Sequence, residues 1–309
     1  MEQITQTVVM QVSIMLTLII LGYILSKCRL ITKSGASDMS DILLTVVTPC
    51  VLINAYQTDL DMTSLRRLGI AFLASIVIHV IMIGVSKLYF IPVKDKNTKK
   101  INMAASMYSN CGFMAIPILG AALGQDGIFY GSAYLAVFNF FAWTHGLSMY
   151  SEGSESFSIK KLLFNPGVLG TAIAMILYFL QIRLPVMLGR VVEYVADLNT
   201  PLAMLLIGSF LARGKIVSVF KNLQIYAVSL LRLIIFPLIT IMIFKIIGAD
   251  KTLAASVLIS SACPAATLVA LFAEKYGMNS AYASQISSAT TLYSIVTIPI
   301  MVHLATLIL

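Results

Sequence analysis

The chain has 309 residues, of which 59% are hydrophobic and only 11% charged, with a mean hydropathy of +0.93. Soluble domains carry about 25% charged residues, so this composition excludes a water-soluble globule and implies an all-α polytopic membrane protein. The net charge of +8 and pI near 9.3 do not point to nucleic acid, because the basic residues stand in short clusters between apolar runs, with no basic face bearing interleaved aromatics.

Glu2 precedes the first apolar run, with no Lys or Arg before it, and the run exceeds a signal-peptide core, so it is expected to remain as a span. About 20 apolar residues cross a bilayer as helix. Ten such stretches can be placed, near 8–27, 36–56, 68–90, 101–123, 127–150, 162–182, 191–211, 223–247, 253–276 and 281–307. Asp38, Asp41 and Pro49 weaken the second, while the fourth and ninth each hold a central proline, Pro117 and Pro264. Proline removes a helical donor and clashes with the carbonyl four residues back, so the fourth span is expected to kink or split near Pro117. Lipid cannot satisfy the freed backbone groups, which therefore line a site or are buried in protein; a proline kink that merely improves packing is the plain alternative. The four cysteines, Cys28, Cys50, Cys111 and Cys263, lack CxxC spacing and read as packing residues, not as a disulfide framework or a metal site.

Sorting the 21 basic residues among alternate loops puts 14 in one set and 6 in the other, with Arg232 inside the eighth span. Basic loops face the cytoplasm, so both termini are predicted outside and the polar linker 151–161 inside. The linker divides the chain into 1–150 and 162–309, which share landmarks. Thr48-Pro49 and Thr200-Pro201, Pro117 and Pro264, and Ser132-Ala133-Tyr134 and Ser280-Ala281-Tyr282 recur at offsets of 152, 147 and 148 positions. Five spans is an odd number, so the second half enters the membrane in the opposite sense. The predicted architecture is ten transmembrane helices in two five-helix inverted repeats, with broken helices four and nine meeting near the midplane.

Asn110-Cys111-Gly112-Phe113-Met114-Ala115-Ile116-Pro117 with Gly120 resembles the auxin efflux carrier family, which belongs with the bile-acid and arsenite transporters in one superfamily. A second match runs from Cys263-Pro264-Ala265-Ala266 through Phe272-Ala273-Glu274-Lys275-Tyr276-Gly277 to Thr297-Ile298-Pro299. The resemblance covers essentially the whole chain. It implies helices four and nine crossed at their prolines, a scaffold of spans one, two, six and seven, and a moving transport unit from spans three to five and eight to ten. It also implies elevator-type secondary transport of organic anions such as mono- or dicarboxylates or auxin-like acids, in the plasma membrane. The plant carriers usually have a long hydrophilic central loop and an Asn-Pro-Asn-type crossover. This chain has a short linker and the simpler Asn110…Pro117 pattern, so it resembles a prokaryotic member and leaves auxin itself unassigned.

With no full charge beside either proline, helix dipoles are expected to attract the anion through the half-helix N-termini near Ile118 and Ala265. Asn110 can donate its amide to a carboxylate. Cys111 and Gly112 lie beside it, and Gly112, Ala265 and Ala266 allow close approach. Asn139 in the fifth span is the next polar candidate, and Asn54 a scaffold-side one; for each asparagine the alternative is an interhelical hydrogen bond. His79, midway along the third span, is the histidine placed for proton coupling, against the alternative of a packing histidine. Arg232 is costly in a span and should face a partner or a cavity, or snorkel. Glu274 falls about 15 Å along the helix from Pro264, which argues against sodium coupling of the bile-acid type. No cofactor is implied; the partners are the small anion, lipid and, as a candidate association, a homodimer through the scaffold helices. The competing functions are an intramembrane enzyme, for which no span sets a nucleophile beside a base, and a non-transporting receptor or scaffold.

Overall fold

The computed structural model describes residues 2–151, 166–213 and 222–309, so the linker 152–161 lies outside the described residues. Every regular element among those residues is helical: α1 (Glu2–Lys27), α2 (Lys33–Ala55), α3 (Met62–Tyr89), α4 (Lys96–Met107), α5 (Cys111–Ser151), α6 (Pro166–Phe179), α7 (Val186–Arg213), α8 (Leu223–Ile247), α9 (Lys251–Ala262), α10 (Leu268–Lys275) and α11 (Ser280–Ile308). Seven of these are long and apolar enough to cross a membrane, and α6 and α9 are shorter apolar helices. The chain is an all-helical integral membrane protein.

Burial follows the lipid and interior faces. Large apolar side chains such as Val186, Ile246 and Leu73 stand exposed on the long helices, as a hydrocarbon solvent permits, whereas α9 is buried without a break from Leu253 to Ala262. Small residues in α9 and α4, such as Ala254, Ala255, Ala104 and Ala105, let neighbouring helices close around them. Helices α1 and α7 pack backbone to backbone: a Cβ on Gly208 would stand 2.1 Å from the Ile19 carbonyl oxygen, and one on Gly22 2.3 Å from that of Leu205.

Helix α5 is two helices joined at Gly124, whose φ of 64° and ψ of −151° belong to a region open in practice only to glycine. Three of the prolines inside helices are handled differently; Pro299 continues α11 with no π turn before it, and a fourth π turn, Ala142–Gly146 in α5, precedes no proline. Pro49, Pro117 and Pro237 each follow a π turn, Leu43–Val47, Cys111–Ala115 and Leu231–Ile235. The carbonyl four residues before each proline is Thr45, Phe113 or Leu233, the middle residue of its π turn. The widened turn draws that carbonyl away from the ring, so the helix continues. The kink or split expected near Pro117 is therefore corrected: the chain breaks at Tyr108–Asn110, two turns earlier, and Pro117 lies within the helical stretch that runs from Cys111 to the joint at Gly124.

Candidate functional site: the crossing of two interrupted helices

Between α4 and α5, and between α9 and α10, the chain runs extended for a few residues. Pro264 marks the second break: a residue before proline is biased away from the helical region, and Cys263, with ψ 153°, has left it, whereas Thr48, Ile116 and Phe236 before their prolines stay helical. At the first, Tyr108 is extended with φ −96° and ψ 110°. The two segments pair antiparallel, Ser109 opposite Ala265. The Asn110 N–H donates to the Pro264 carbonyl at 2.7 Å, and the Ala266 N–H to the Tyr108 carbonyl at 2.9 Å. Each break thus supplies the hydrogen-bond partners that the other would lack in lipid. The crossing pairs Ser109 with Ala265, so Pro117 is not the counterpart of Pro264.

Hydroxyls from α11 complete the second break. The Ala265 N–H donates to Thr290 Oγ1 at 3.1 Å, and Ser287 Oγ to the Ala266 carbonyl at 3.4 Å. The Ala265 and Ala266 N–H groups, expected to face the anion, are therefore engaged by the protein. In the first turn from Leu268 the Val269, Ala270 and Leu271 N–H groups donate to the Ala266 and Thr267 carbonyls, so the helix start left to face a solute is the one from Cys111. Asn110 stands at the head of that helix, 6% exposed, and its side chain makes no capping hydrogen bond. Cys111 and Cys263 are buried free thiols at the two breaks. Gly112 is partly buried beside Leu135, and Pro117 and Ile118 are buried further along α5.

Arg232 corrects the expectation that no full charge lies at the crossing. It is fully buried in the π turn of α8 and does not snorkel. One terminal nitrogen donates to the Ser106 and Met107 carbonyls at 3.0 and 2.9 Å, and the other to the Ser261 carbonyl. These carbonyls close the C-terminal ends of α4 and α9, so the guanidinium holds both half-helices just before their breaks. The Phe236 ring lies 5.8 Å from it.

His79 is 1% exposed, with Nδ1 2.8 Å from the Ser75 carbonyl, so Nδ1 carries the proton in that bond. Its ring stacks on Phe141 at 5.4 Å and tilts against Tyr134 at 4.8 Å, while Nε2 is buried without a partner. Tyr134 in turn accepts a bond from Ser109 Oγ at 3.5 Å, linking α3 to the crossing through α5. Asn139 is buried in α5 between Phe138, whose ring meets Tyr108, and Phe141, whose carbonyl accepts from the Tyr108 hydroxyl at 3.1 Å. Asn54 is elsewhere: with Gln57, Arg183 and Arg190 it lines a cavity of about 330 Å³ between the end of α2 and the start of α7.

The sequence reading missed Tyr108, Ser109, Tyr134, Ser287 and Thr290. The run Ser287-Ser288-Ala289-Thr290-Thr291 inside an apolar span was the available signal, since buried hydroxyls need partners. It also passed over Asn199 in α7, whose side-chain nitrogen and oxygen are both buried without a partner. At the helix ends outside the spans, Asp95 is held below the usual carboxylate range by the Thr98 hydroxyl and N–H, and Asp61 by the N–H groups of Ser64 and Thr63.

No match was found among curated proteins. Interrupted helices that satisfy each other across a buried crossing are what unwound backbone at membrane depth requires, and they are the usual setting for a transported solute. The Mem_trans family, described as membrane transport protein, matches residues 7–302, nearly the whole chain, which therefore belongs to this family, that of the auxin efflux carriers, and is a membrane transporter.

Proposed function

We propose that this transporter is a secondary carrier of small organic anions, mono- or dicarboxylates or auxin-like acids, that binds the carboxylate at the crossing of the two interrupted helices. The observation that carries the reading is the mutual pairing at Ser109 and Ala265, with the buried Asn110 side chain at the head of a helix that begins at the break. Helix starts favour anions through their orphan N–H groups and positive dipole ends, so a carboxylate needs no lysine there.

Counting α4 with the first part of α5, and α9 with α10, as single crossings gives ten spans in two five-helix halves of opposite sense. The close α1–α7 contact, and Gly170 of α6 against Pro49 of α2, support a scaffold of spans one, two, six and seven. The remaining spans would form the unit that moves, in an elevator-type cycle. The assignment of loops to alternate faces is supported by contacts between loops of one set, and the basic residues alone say which face is inner. Arg67 pairs with Asp250 at 3.1 Å and Arg183 with Asp59, all on the outer side, and Arg213 reaches the Thr32 carbonyl at 3.0 Å on the inner side. Both termini would then face outward from the plasma membrane, in a prokaryotic-type member of the bile-acid and arsenite superfamily. The scaffold helices would be the face available for a homodimer.

Counterflow of radiolabelled mono- and dicarboxylates in proteoliposomes tests the reading. Accelerated exchange with at least one of them is the expected result; its absence from a stable preparation would leave a non-transporting receptor. Proton coupling through His79 is tested in the same vesicles. A flux indifferent to a pH gradient in both wild type and His79→Ala removes that role.

A further inference from the structure

Four cations gather where α1 and α7 end and α2 begins. Lys27 closes α1, Arg29 lies in the turn that follows, Lys33 opens α2, and Arg213 closes α7. The Arg213 guanidinium donates to the Thr32 carbonyl at 3.0 Å, which ties the end of α7 to the residue before Lys33. All four residues are exposed, and none enters an ion pair among the described residues. Asp38 and Asp41, the nearest acids along the chain, are exposed further along α2 and pair with none of them.

Two of the cations are accounted for locally. Lys27 and Arg213 stand at the negative ends of their helices, each over an aromatic ring of its own helix, 5.4 Å from Tyr23 and 6.0 Å from Phe210. The other two break local rules. Arg29 turns the chain after α1 in the left-handed region, φ 61°, with its N–H on the Ser26 carbonyl and the Leu30 N–H on that of Leu25. Glycine fills this conformation after α8 and α10, at Gly248 and Gly277. After α6 it falls to Gln181, whose side chain donates back to the Tyr178 carbonyl at 2.7 Å; the Arg29 side chain makes no such bond among the described residues. Lys33 sets a positive charge at the positive end of α2. Lys96 and Lys251 open α4 and α9 in the same way, but there the cap is a carboxylate, Asp95 or Asp250, whereas α2 is capped by the neutral Thr32. An anion from outside the chain, at the α1–α2 turn, resolves both conflicts; broken local rules are a mark of functional sites.

The surroundings say which anion. Leu30, within the turn, is 74% exposed, and Leu21 and Ile24 on α1 and Ile42 and Leu44 on α2 are exposed as well. Hydrocarbon suits these side chains, so the cations stand at the level of lipid headgroups.

We propose that the α1–α2 turn and the end of α7 bind the phosphate of an anionic phospholipid, with Arg29 and Lys33 holding it and Lys27 and Arg213 completing the site. The site is separate from the crossing and independent of what the transporter carries.

The test measures binding of a fluorescent phosphatidylglycerol to the detergent-purified full chain, and the melting temperature of the same protein without lipid. Unlabelled phosphatidylglycerol is expected to displace the probe, and phosphatidylcholine and inorganic phosphate at equal concentration are not. Equal displacement by phosphatidylcholine overturns the recognition of charge; equal displacement by inorganic phosphate makes this a site for a free anion and overturns the lipid. Arg29→Gly and Lys33→Gln should each weaken binding about fivefold, and together about 25-fold. Neither should lower the melting temperature, because glycine suits the left-handed turn and the positive end of α2 is relieved of a like charge. The control is Lys94→Gln with Lys96→Gln, exposed cations between α3 and α4, expected within twofold of wild type. An equal loss in that control reduces the effect to general surface attraction and overturns the site, as does unchanged binding in both test variants. A fall in melting temperature in both makes the two cations structural and also overturns it. Should Arg29→Gly fail to fold, Lys33→Gln decides.

Discussion

Replacing Asn110 by alanine separates binding from folding at the crossing. The Asn110 backbone N–H is committed to the Pro264 carbonyl, but its side chain makes no capping bond to the helix it heads. Alanine keeps the backbone pairing and deletes only the amide. A hydrogen bond to a charged partner contributes about 1.5–3 kcal/mol, and each 1.4 kcal/mol is about tenfold in affinity. Asn110→Ala is therefore expected to weaken carboxylate affinity by about 10- to 150-fold, with an apparent melting temperature within about 2 °C of wild type, since no protein hydrogen bond is lost. Affinity is read from the concentration dependence of counterflow, and folding from thermal unfolding of the detergent-purified protein. Wild-type affinity and rate in the variant would refute the placement of the solute beside Asn110. A loss of flux accompanied by a melting temperature lower by many degrees would refute the reasoning as well, because it would make Asn110 a structural residue.

Thr290→Val removes the acceptor of the Ala265 N–H and leaves that donor buried, which is expected to cost about 1–3 kcal/mol of stability; a melting temperature equal to wild type would show that the second break does not depend on α11. Gly208→Ala drives a Cβ into the Ile19 carbonyl and should destabilise by about 1–3 kcal/mol or more, seen as a fall of several degrees in the same melt. Asp95 caps the start of α4 with its carboxylate, whose pKa is lowered in the folded protein. Its contribution is present above the unfolded value, near 3.9, and is lost as pH falls through the folded value. Asp95→Asn should therefore melt below wild type at neutral pH, with the gap closing below about pH 4; a gap that widens on acidification would contradict the capping role.

The apolar stretches were enough to read the chain as helical and membrane-spanning, and the break at Pro264 was legible because a residue before proline is biased away from the helix. The break at Tyr108–Asn110 was not. No residue there forbids a helix; the segment is extended because Pro264 and Ala266, far along the chain, offer it hydrogen bonds that a helix would refuse. Pro117 attracted the expectation instead, and a π turn absorbed it. Arg232 was recognisable as a costly residue in need of partners, but those partners are main-chain carbonyls, which carry no signature in the side-chain sequence. Asn54 looked equivalent to Asn110 as a lone amide in a span, and only the tertiary arrangement carries it to a different cavity.

The π turns have a consequence for how these helices are oriented about their own axes. Each inserts one residue beyond the regular repeat, and a residue of α-helix subtends about 100°. Everything after Val47, Ala115 and Ile235 is therefore rotated against the phase that the preceding turns would project. A helical wheel drawn continuously through α2 or α8 puts the wrong residues on the inward face of the second half. Proline also prevents the extra residue from migrating toward the C-terminus, since the N–H needed to close a regular turn is missing at that point. The three prolines thus act as clocks set once: they fix the azimuth at which each helix presents its later side chains, and a variant that restored the N–H at Pro117 would free that setting to slip.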